Sequence, residues 1–363
     1  MNTNYPFPLR RVGTSVSQIL LLIALLNTLL LSQESLTRTQ AIMGTFVHIT
    51  LPKEHNKAIS SSFAQLKELE ATLSSYEPHL VYTLNQTHTV PYNHTLAHAI
   101  RLSKEYYKET HGYFDITIGS ISKSLYHFGE ENSTIPTQKA LQNAKRNIEG
   151  IFIHEHNIST AQGIVLDLGG MGKGYGVDRV VERLSEQNIS QGIVALSGDI
   201  RCLDVCTFEL QSPYSEQTFA TLTAKIPQLS ISTSGTYRRY VDSQEDHHLI
   251  NPKTATQGKA FVSVSLFTHA NNAMIDAYAT AISVMPLDVA LSFLKEHDEV
   301  GFVLVKSDGK IVYGNLEKFV TFTWLDYKEN ATIPSNTKKS NTNSPKAKSF
   351  THPDTTSPKM IGR

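Results

Sequence analysis

The segment Asp167–Asp178, DLGGMGKGYGVD, packs five glycines and one lysine between an apolar stretch and a helix-like pattern. Glycines let backbone approach backbone or a ligand closely, and a helix start offers N–H groups and positive potential to an anion. Val177, Val180, Val181 and Leu184 follow at i, i+3, i+4 and i+7, so a helix follows the glycines. Ile164–Leu168 before them reads as a strand. Lys173 sits where a phosphate would sit. A P-loop needs glycine five residues before its Gly-Lys pair and Ser or Thr after it; Asp167 and Gly174 occupy those places and exclude it. The dinucleotide fingerprint also fails, because the required third glycine is Tyr175 or Val177. Two readings remain for the segment: a ligand cradle around Lys173, or a turn packed tightly against a neighbour.

The rest of the chain mixes strand and helix signals. Phe46–Leu51 alternates like a half-buried strand, and Ala58–Ser74 carries Phe63, Leu66, Leu69 and Leu73 at helical spacing. Leu96–Tyr107 and a segment opened by Pro136 and running through Ile148 are expected as helices. Ile151–His154, Gly192–Leu196, Gln228–Ser232 and Phe261–Phe267 are expected as strands. Helices from about Asn271 to Val284 and over Leu287–Glu296 follow, then a hairpin of Phe302–Val305 and Ile311–Tyr313. Strict βαβ alternation is missing, so the expected class is α+β, one compact domain of mixed sheets with flanking helices over residues 38–327.

The two ends differ from this body. Arg10-Arg11 precedes the 13-residue apolar run Ile19–Leu31, and Ser32 follows. That is the layout of a secretory signal, short for a comfortable span, so residues 1–35 are expected to be a signal peptide or an N-terminal anchor. Residues 328–363 are rich in Ser, Thr, Asn, Pro and Lys and are expected to form a disordered basic tail. The chain has 33 Lys+Arg against 33 Asp+Glu. Because residues 1–40 carry +2 and the tail +5, the body between them carries −7. No basic excess points to nucleic acid. An acidic body that binds phosphates needs a local device: a metal ion, a helix N-terminus or a placed lysine.

One such device is spelled in Asn271–Val284, where Asp276 and Thr280 share a helical face among small and apolar neighbours. A buried carboxylate needs a partner. A magnesium ion with oxygen ligands would serve, as would a basic side chain. Cys202 and Cys206 would lie on one side of a single strand, too far apart to bridge; a turn between them would allow a disulfide.

Taken together, these segments resemble the ApbE-type FAD:protein FMN transferase family. Met43-Gly44-Thr45 is similar to its early MGT strand, and Ser75-Tyr76 with Asn85 to its StY…lN segment. Gly112–Gly119 (GYFDITIG), the glycine segment itself, Leu196–Ile200 (LSGDI), Ile231–Tyr237 (ISTSGTY), His247–Thr254 (HHLINPKT) and Asp276–Thr280 (DAYAT) match further family motifs in order. The resemblance spans nearly the whole folded part. It implies that Met43, Tyr76, Tyr113, Phe114, Asp115, Asp167 and Lys173 contact FAD. It implies that Gly170 offers a carbonyl to Mg²⁺ beside Asp276 and Thr280, and that His248 lies near the pyrophosphate. His248 and Asp276 are then the catalytic candidates, with His247 the competitor for the base.

The implied activity moves FMN from FAD onto a Thr or Ser hydroxyl of an acceptor flavoprotein, a subunit of a membrane or exported redox complex. The implied setting is periplasmic or exported, with inner-membrane association if the apolar run stays attached. A FAD pyrophosphatase and a non-enzymatic FAD carrier are the alternatives. Three positions depart from the family pattern: Ser197 and Ala255 stand where it has glycine, and Asn251 where it has aspartate. Ala255 would be strained if its backbone needs positive φ.

Overall fold

The computed structural model describes residues 34–325 apart from residues 77 and 238, together with the backbone of Ala331–Thr332. The expected signal or anchor, apart from its last two residues, and nearly all of the expected tail lie outside the described residues.

A nine-stranded sheet organises the chain. Its strands are β1 (Ser35–Ile42), β2 (Thr45–Pro52), β3 (Ile193–Leu196), β4 (Asp199–Cys202), β5 (Leu229–Gly235), β6 (Phe261–Thr268), β7 (Gly301–Lys306), β8 (Ile311–Gly314) and β9 (Ala331–Thr332), in that spatial order. Neighbours pair antiparallel up to β8, and β9 joins parallel to it. Chain order and spatial order coincide because every long insertion leaves the sheet and returns to the same edge. The longest one, between β2 and β3, carries α1 (Asn56–Leu73), α2 (Leu80–Thr87), α3 (His94–Glu109) and α4 (Gly172–Glu186). α5 (Asn272–Val284) and α6 (Leu287–Glu296) follow β6.

Period-2 patterning assigns the two faces of the sheet. Leu229 and Ile231 of β5 join a core with Phe219, Leu222, Val303 and Val305, under a three-stranded sheet of Thr207–Gln211, Thr218–Ala224 and Val320–Trp324. On the opposite face Asp199, Arg201 and Ser232 carry their side chains toward α4 and α5. α5 is buried almost all round, including Ile275, Ala277, Ala279, Ala281 and Ile282. A helix with so little polar surface belongs in the middle of a domain. α1 buries Ile59, Phe63, Leu66, Leu69 and Leu73 at the spacing its sequence shows.

Most expected elements are present with small boundary changes. The helix expected from Pro136 to Ile148 is reduced to Gln138–Asn143 and a single 3₁₀ turn. Ile164–Leu168 is not a strand: only Val165 makes an isolated bridge, to Ile118. Its carbonyls and amides are taken one by one, as Asn85 bonds both the N–H and the C=O of Leu166. Cys202 and Cys206 are joined by a disulfide across the turn that ends β4. Among the described residues no helix is long and apolar enough to cross a membrane.

Candidate active site

The glycines of Asp167–Asp178 serve close approach. At Gly174 a Cβ would fall 2.4 Å from the carbonyl oxygen of Asn272 and 2.8 Å from Cβ of Asp276. Only glycine lets the first turn of α4 cross α5 there. Neither Gly170 nor Gly174 has positive φ, so the segment's glycines at this crossing supply space rather than an unusual backbone. Tight packing and a polar site therefore coexist in one segment.

The crossing brings charges together. Lys173 Nζ lies 2.9 Å from Asp199 Oδ2, and 3.3 Å and 3.4 Å from the two carboxylate oxygens of Asp276. The amide of Gly174 donates to Asp276 Oδ2 at 3.0 Å, so this helix-start N–H goes to a carboxylate rather than to an open anion site. Ser232 Oγ donates to Asp199 Oδ1 at 2.6 Å. Asp199 Oδ2 has the Lys173 ion pair but no aligned hydrogen bond. Asp199 is 0% exposed and Asp276 1%. Burial and then the neighbouring Asp276 carboxylate raise the Asp199 carboxyl to about 7, against the pull of Lys173. Burial works to lower Lys173, but Asp199 and Asp276 outweigh it and hold the ammonium above its usual range.

One turn along α5 from Asp276, Thr280 Oγ1 donates to the carbonyl of Gly170 at 3.1 Å. Three of the expected site residues thus lie at one helix crossing and offer oxygen atoms: the Asp276 carboxylate, the Thr280 hydroxyl and the Gly170 carbonyl. That donor set suits a hard divalent cation. Asp199 Oδ2, which has the Lys173 ion pair but no hydrogen bond, leaves a buried acceptor open beside this set. No group of three His, Cys, Asp or Glu that could hold a metal ion occurs among the described residues.

A second group of residues forms beside this one. Asp167 accepts from Ser122 Oγ at 2.7 Å and from the Gly169 amide at 2.9 Å, with Lys123 Nζ 3.9 Å away. Burial works to raise its carboxyl, but Lys123, Ser122 and Gly169 bring it below the usual range. Lys123 Nζ also lies 3.7 Å from the centre of the Tyr76 ring, whose hydroxyl donates to the Phe128 carbonyl at 2.7 Å. Lys253 Nζ sits 4.0 Å from the centre of the Tyr113 ring. Met43 adopts φ 56° and donates its amide to Glu70 at 2.6 Å, and Arg239 reaches the Gly44 carbonyl at 3.4 Å. Phe114 is 3% exposed and packs edge-on against Tyr106. Asp115 Oδ1 accepts from the amide and hydroxyl of Thr117. Phe114 also lies close to Gly170, while Tyr76, Tyr113 and Asp167 are met by cations.

The two histidines separate cleanly. His247 is buried; Nε2 donates to the Gly258 carbonyl at 2.9 Å, and Nδ1 accepts from the Leu249 amide at 3.2 Å. Both its nitrogens are committed to holding a turn. His248 uses only Nδ1, which donates to the Arg239 carbonyl at 3.1 Å, so this tautomer leaves Nε2 unprotonated. Burial pushes His248 down to about 4, with the Arg239 guanidinium and His247 acting in the same direction and the bond to the Arg239 carbonyl opposing.

The three departures from the family pattern have local accounts. Ala255 and Ser197 both have φ 56°, the left-handed region that favours glycine. Asn251 Oδ1 accepts from the Lys253 amide, as an aspartate would, while its Nδ2 donates to the Val284 carbonyl at 3.0 Å. An ionised aspartate has no proton for that second bond.

Asp199, Ser232, Lys123 and Arg239 were not among the expected site residues. LSGDI contained Asp199, but its role depends on β4 lying beside β5 and under α4, a contact that no local spacing encodes. Asp178 is structural. It accepts from the amides of Asn272 and Ala273 at 2.8 Å each and pairs with Arg201 at 2.9 Å, so α4 caps the start of α5. A cleft of about 670 Å³ lies beside this group, lined by His98, Tyr175, Asp178, Arg179 and Arg201 but not by Lys173.

The model of the ApbE family matches residues 43–304. A FAD:protein FMN transferase of Klebsiella pneumoniae (strain 342) is 22% identical over 303 residues, covering 78% of this chain and 93% of the relative. One of Treponema pallidum (strain Nichols) is 24% identical over 311 residues, covering 76% and 85%. Among solved structures, the flavin transferase ApbE from Vibrio cholerae superposes with a TM-score of 0.68 at 22% identity, covering 79% of this chain and 99% of that one. At that identity the superposition speaks for the fold.

Proposed function

Since this chain belongs to the ApbE family, we propose that it is a FAD:protein FMN transferase. The observation that carries the reading is the crossing of α4 and α5, where Lys173, Asp276, Thr280 and the Gly170 carbonyl converge. The curated relatives' names support the same reading.

FAD is the substrate. Tyr76 and Tyr113 supply ring faces for its aromatic parts, and Lys123, Lys173 and Arg239 supply positive charge to an otherwise acidic body. The hydroxyl of an acceptor Thr or Ser attacks the FMN-side phosphorus. The bond from that phosphorus to the bridging oxygen breaks, and AMP leaves with the oxygen. His248 Nε2 takes the hydroxyl proton. Lys173 stabilises negative charge growing on the phosphoryl oxygens. Gly170, Asp276 and Thr280 would hold Mg²⁺, which supplies Lewis-acid polarisation of a phosphoryl oxygen. The basic, apolar start of the chain supports export, and with it an acceptor subunit in a membrane or exported redox complex.

The test uses the full-length chain with FAD and Mg²⁺, with and without a peptide carrying a threonine acceptor motif, following AMP release and peptide mass. AMP together with a peptide that gains FMN is expected, and Asp276→Ala should abolish both while FAD still binds. AMP without peptide modification would replace the reading by FAD hydrolysis. Bound FAD with no AMP would replace it by flavin carriage.

A further inference from the structure

Lys173 is shared unequally between two buried carboxylates. Its ammonium is 2.9 Å from Asp199 and 3.3 Å from Asp276. Asp276 has a second donor in the Gly174 amide, whereas Asp199 has only the Ser232 hydroxyl besides the lysine. Asp199 Oδ2, fully buried, lacks any aligned hydrogen bond, so its one compensation is that ammonium. The lysine therefore bridges two carboxylates, ion-paired to Asp199 and hydrogen-bonded to Asp276. One of them, Asp276, is also the only carboxylate of the oxygen set formed with Thr280 and Gly170.

We propose that Asp199 is a positioning residue: it draws the Lys173 ammonium away from Asp276, so that a divalent cation and the lysine can act side by side. The inference rests on the cation reading given above. Without a charge on Asp199, Lys173 has a single counter-ion left in a buried site, and it closes onto the carboxylate the cation requires. Two like charges cannot share one buried carboxylate without loss of affinity for one of them. The strand register makes the arrangement possible. Ser230 and Ile231 of β5 face Arg201 and Ile200 of β4, and one step further Ser232 reaches Asp199 and fixes its carboxylate edge. Asp199 does not touch substrate in this account; it acts through Lys173.

The experiment is a double-mutant cycle on cation binding, not on turnover. Full-length protein saturated with FAD, without acceptor, is titrated with Mn²⁺, which accepts the same oxygen ligands, and free Mn²⁺ is read by electron paramagnetic resonance against FAD alone. Asp199→Asn keeps the size and the Ser232 contact but removes the charge. It should weaken Mn²⁺ binding by about tenfold or more when Lys173 is present, and by less than about threefold in the Lys173→Met background. Ser232→Ala should give a smaller loss with the same dependence on Lys173. Equal losses in the two backgrounds would mean that Asp199 acts on the cation by simple charge, and would overturn the proposal. Unchanged Mn²⁺ affinity in Asp199→Asn, with the near-ultraviolet dichroism of the folded protein, would overturn it too. If the unsubstituted protein binds no Mn²⁺, the cation reading itself fails, and this inference fails with it.

Discussion

The state of His248 makes the sharpest prediction, because its environment moves it far from an ordinary imidazole. Burial, Arg239 and His247 push it down to about 4. A free imidazole near 6.5 would be about 90% protonated at pH 5.5, whereas one near 4 would be about 3% protonated. If His248 is the base, kcat/KM should be nearly equal at pH 5.5 and 7.5 as far as this group is concerned. An ordinary histidine would cut it about tenfold over that range. Asp199 adds a separate step, because burial and Asp276 raise it to about 7. The assay is therefore AMP release at low FAD concentration between pH 4.5 and 8, in the unsubstituted protein and in Asp199→Asn. Any step near 7 should vanish in Asp199→Asn, leaving a flat profile that falls only toward pH 4. An acid limb near 6.5 that survives Asp199→Asn would refute the assignment of the base to a desolvated His248.

Three further substitutions probe the surrounding geometry. Lys123→Met removes the cation over Tyr76 and the partner of Asp167, and should raise the FAD dissociation constant about fivefold by flavin fluorescence. Asn251→Asp keeps the bond to the Lys253 amide but sets a carboxylate against the Val284 carbonyl, and should cost about 1–3 kcal/mol in thermal or denaturant unfolding. Ser197→Gly should stabilise by up to about 1 kcal/mol, since strain at positive φ is relieved on an exposed residue. Ala255→Gly should change stability little, because the same relief is offset by about 0.8 kcal/mol for the buried methyl.

What the sequence discloses follows from how far each property reaches along the chain. α1, α5 and the strands β2, β3, β5 and β6 are legible because their apolar periodicity is local and their burial is strong. β1 is not, since its inward positions mix Leu36 and Ile42 with Arg38 and Gln40; only pairing with β2 defines it. The short hairpin of Thr207–Gln211 and Thr218–Ala224 escapes for the same reason. Ile164–Leu168 errs in the other direction. It has the apolar content of a strand, but Asn85 and the Ser120 hydroxyl claim its backbone in place of a ladder.

The site divides along the same line. Asp276 and Thr280 sit four residues apart on one helix, so their common face is visible in the sequence, and Gly170 and Lys173 sit in a segment whose composition announces close contact. The partners that set their charge come from elsewhere: Asp199 and Ser232 from two strands of the sheet, Lys123 from the end of the one-turn helix Gly119–Ser122. The choice between His247 and His248 is likewise undecidable from spacing, because adjacent residues share every local property. The fold distinguishes them by which ring nitrogens are used: His247 spends both on the backbone of its own turn, and His248 keeps Nε2, which supports the proposed role of His248. A half-buried imidazole with an unspent acceptor nitrogen is able to receive a proton during a reaction. That criterion needs the fold, because it depends on partners that no local spacing encodes.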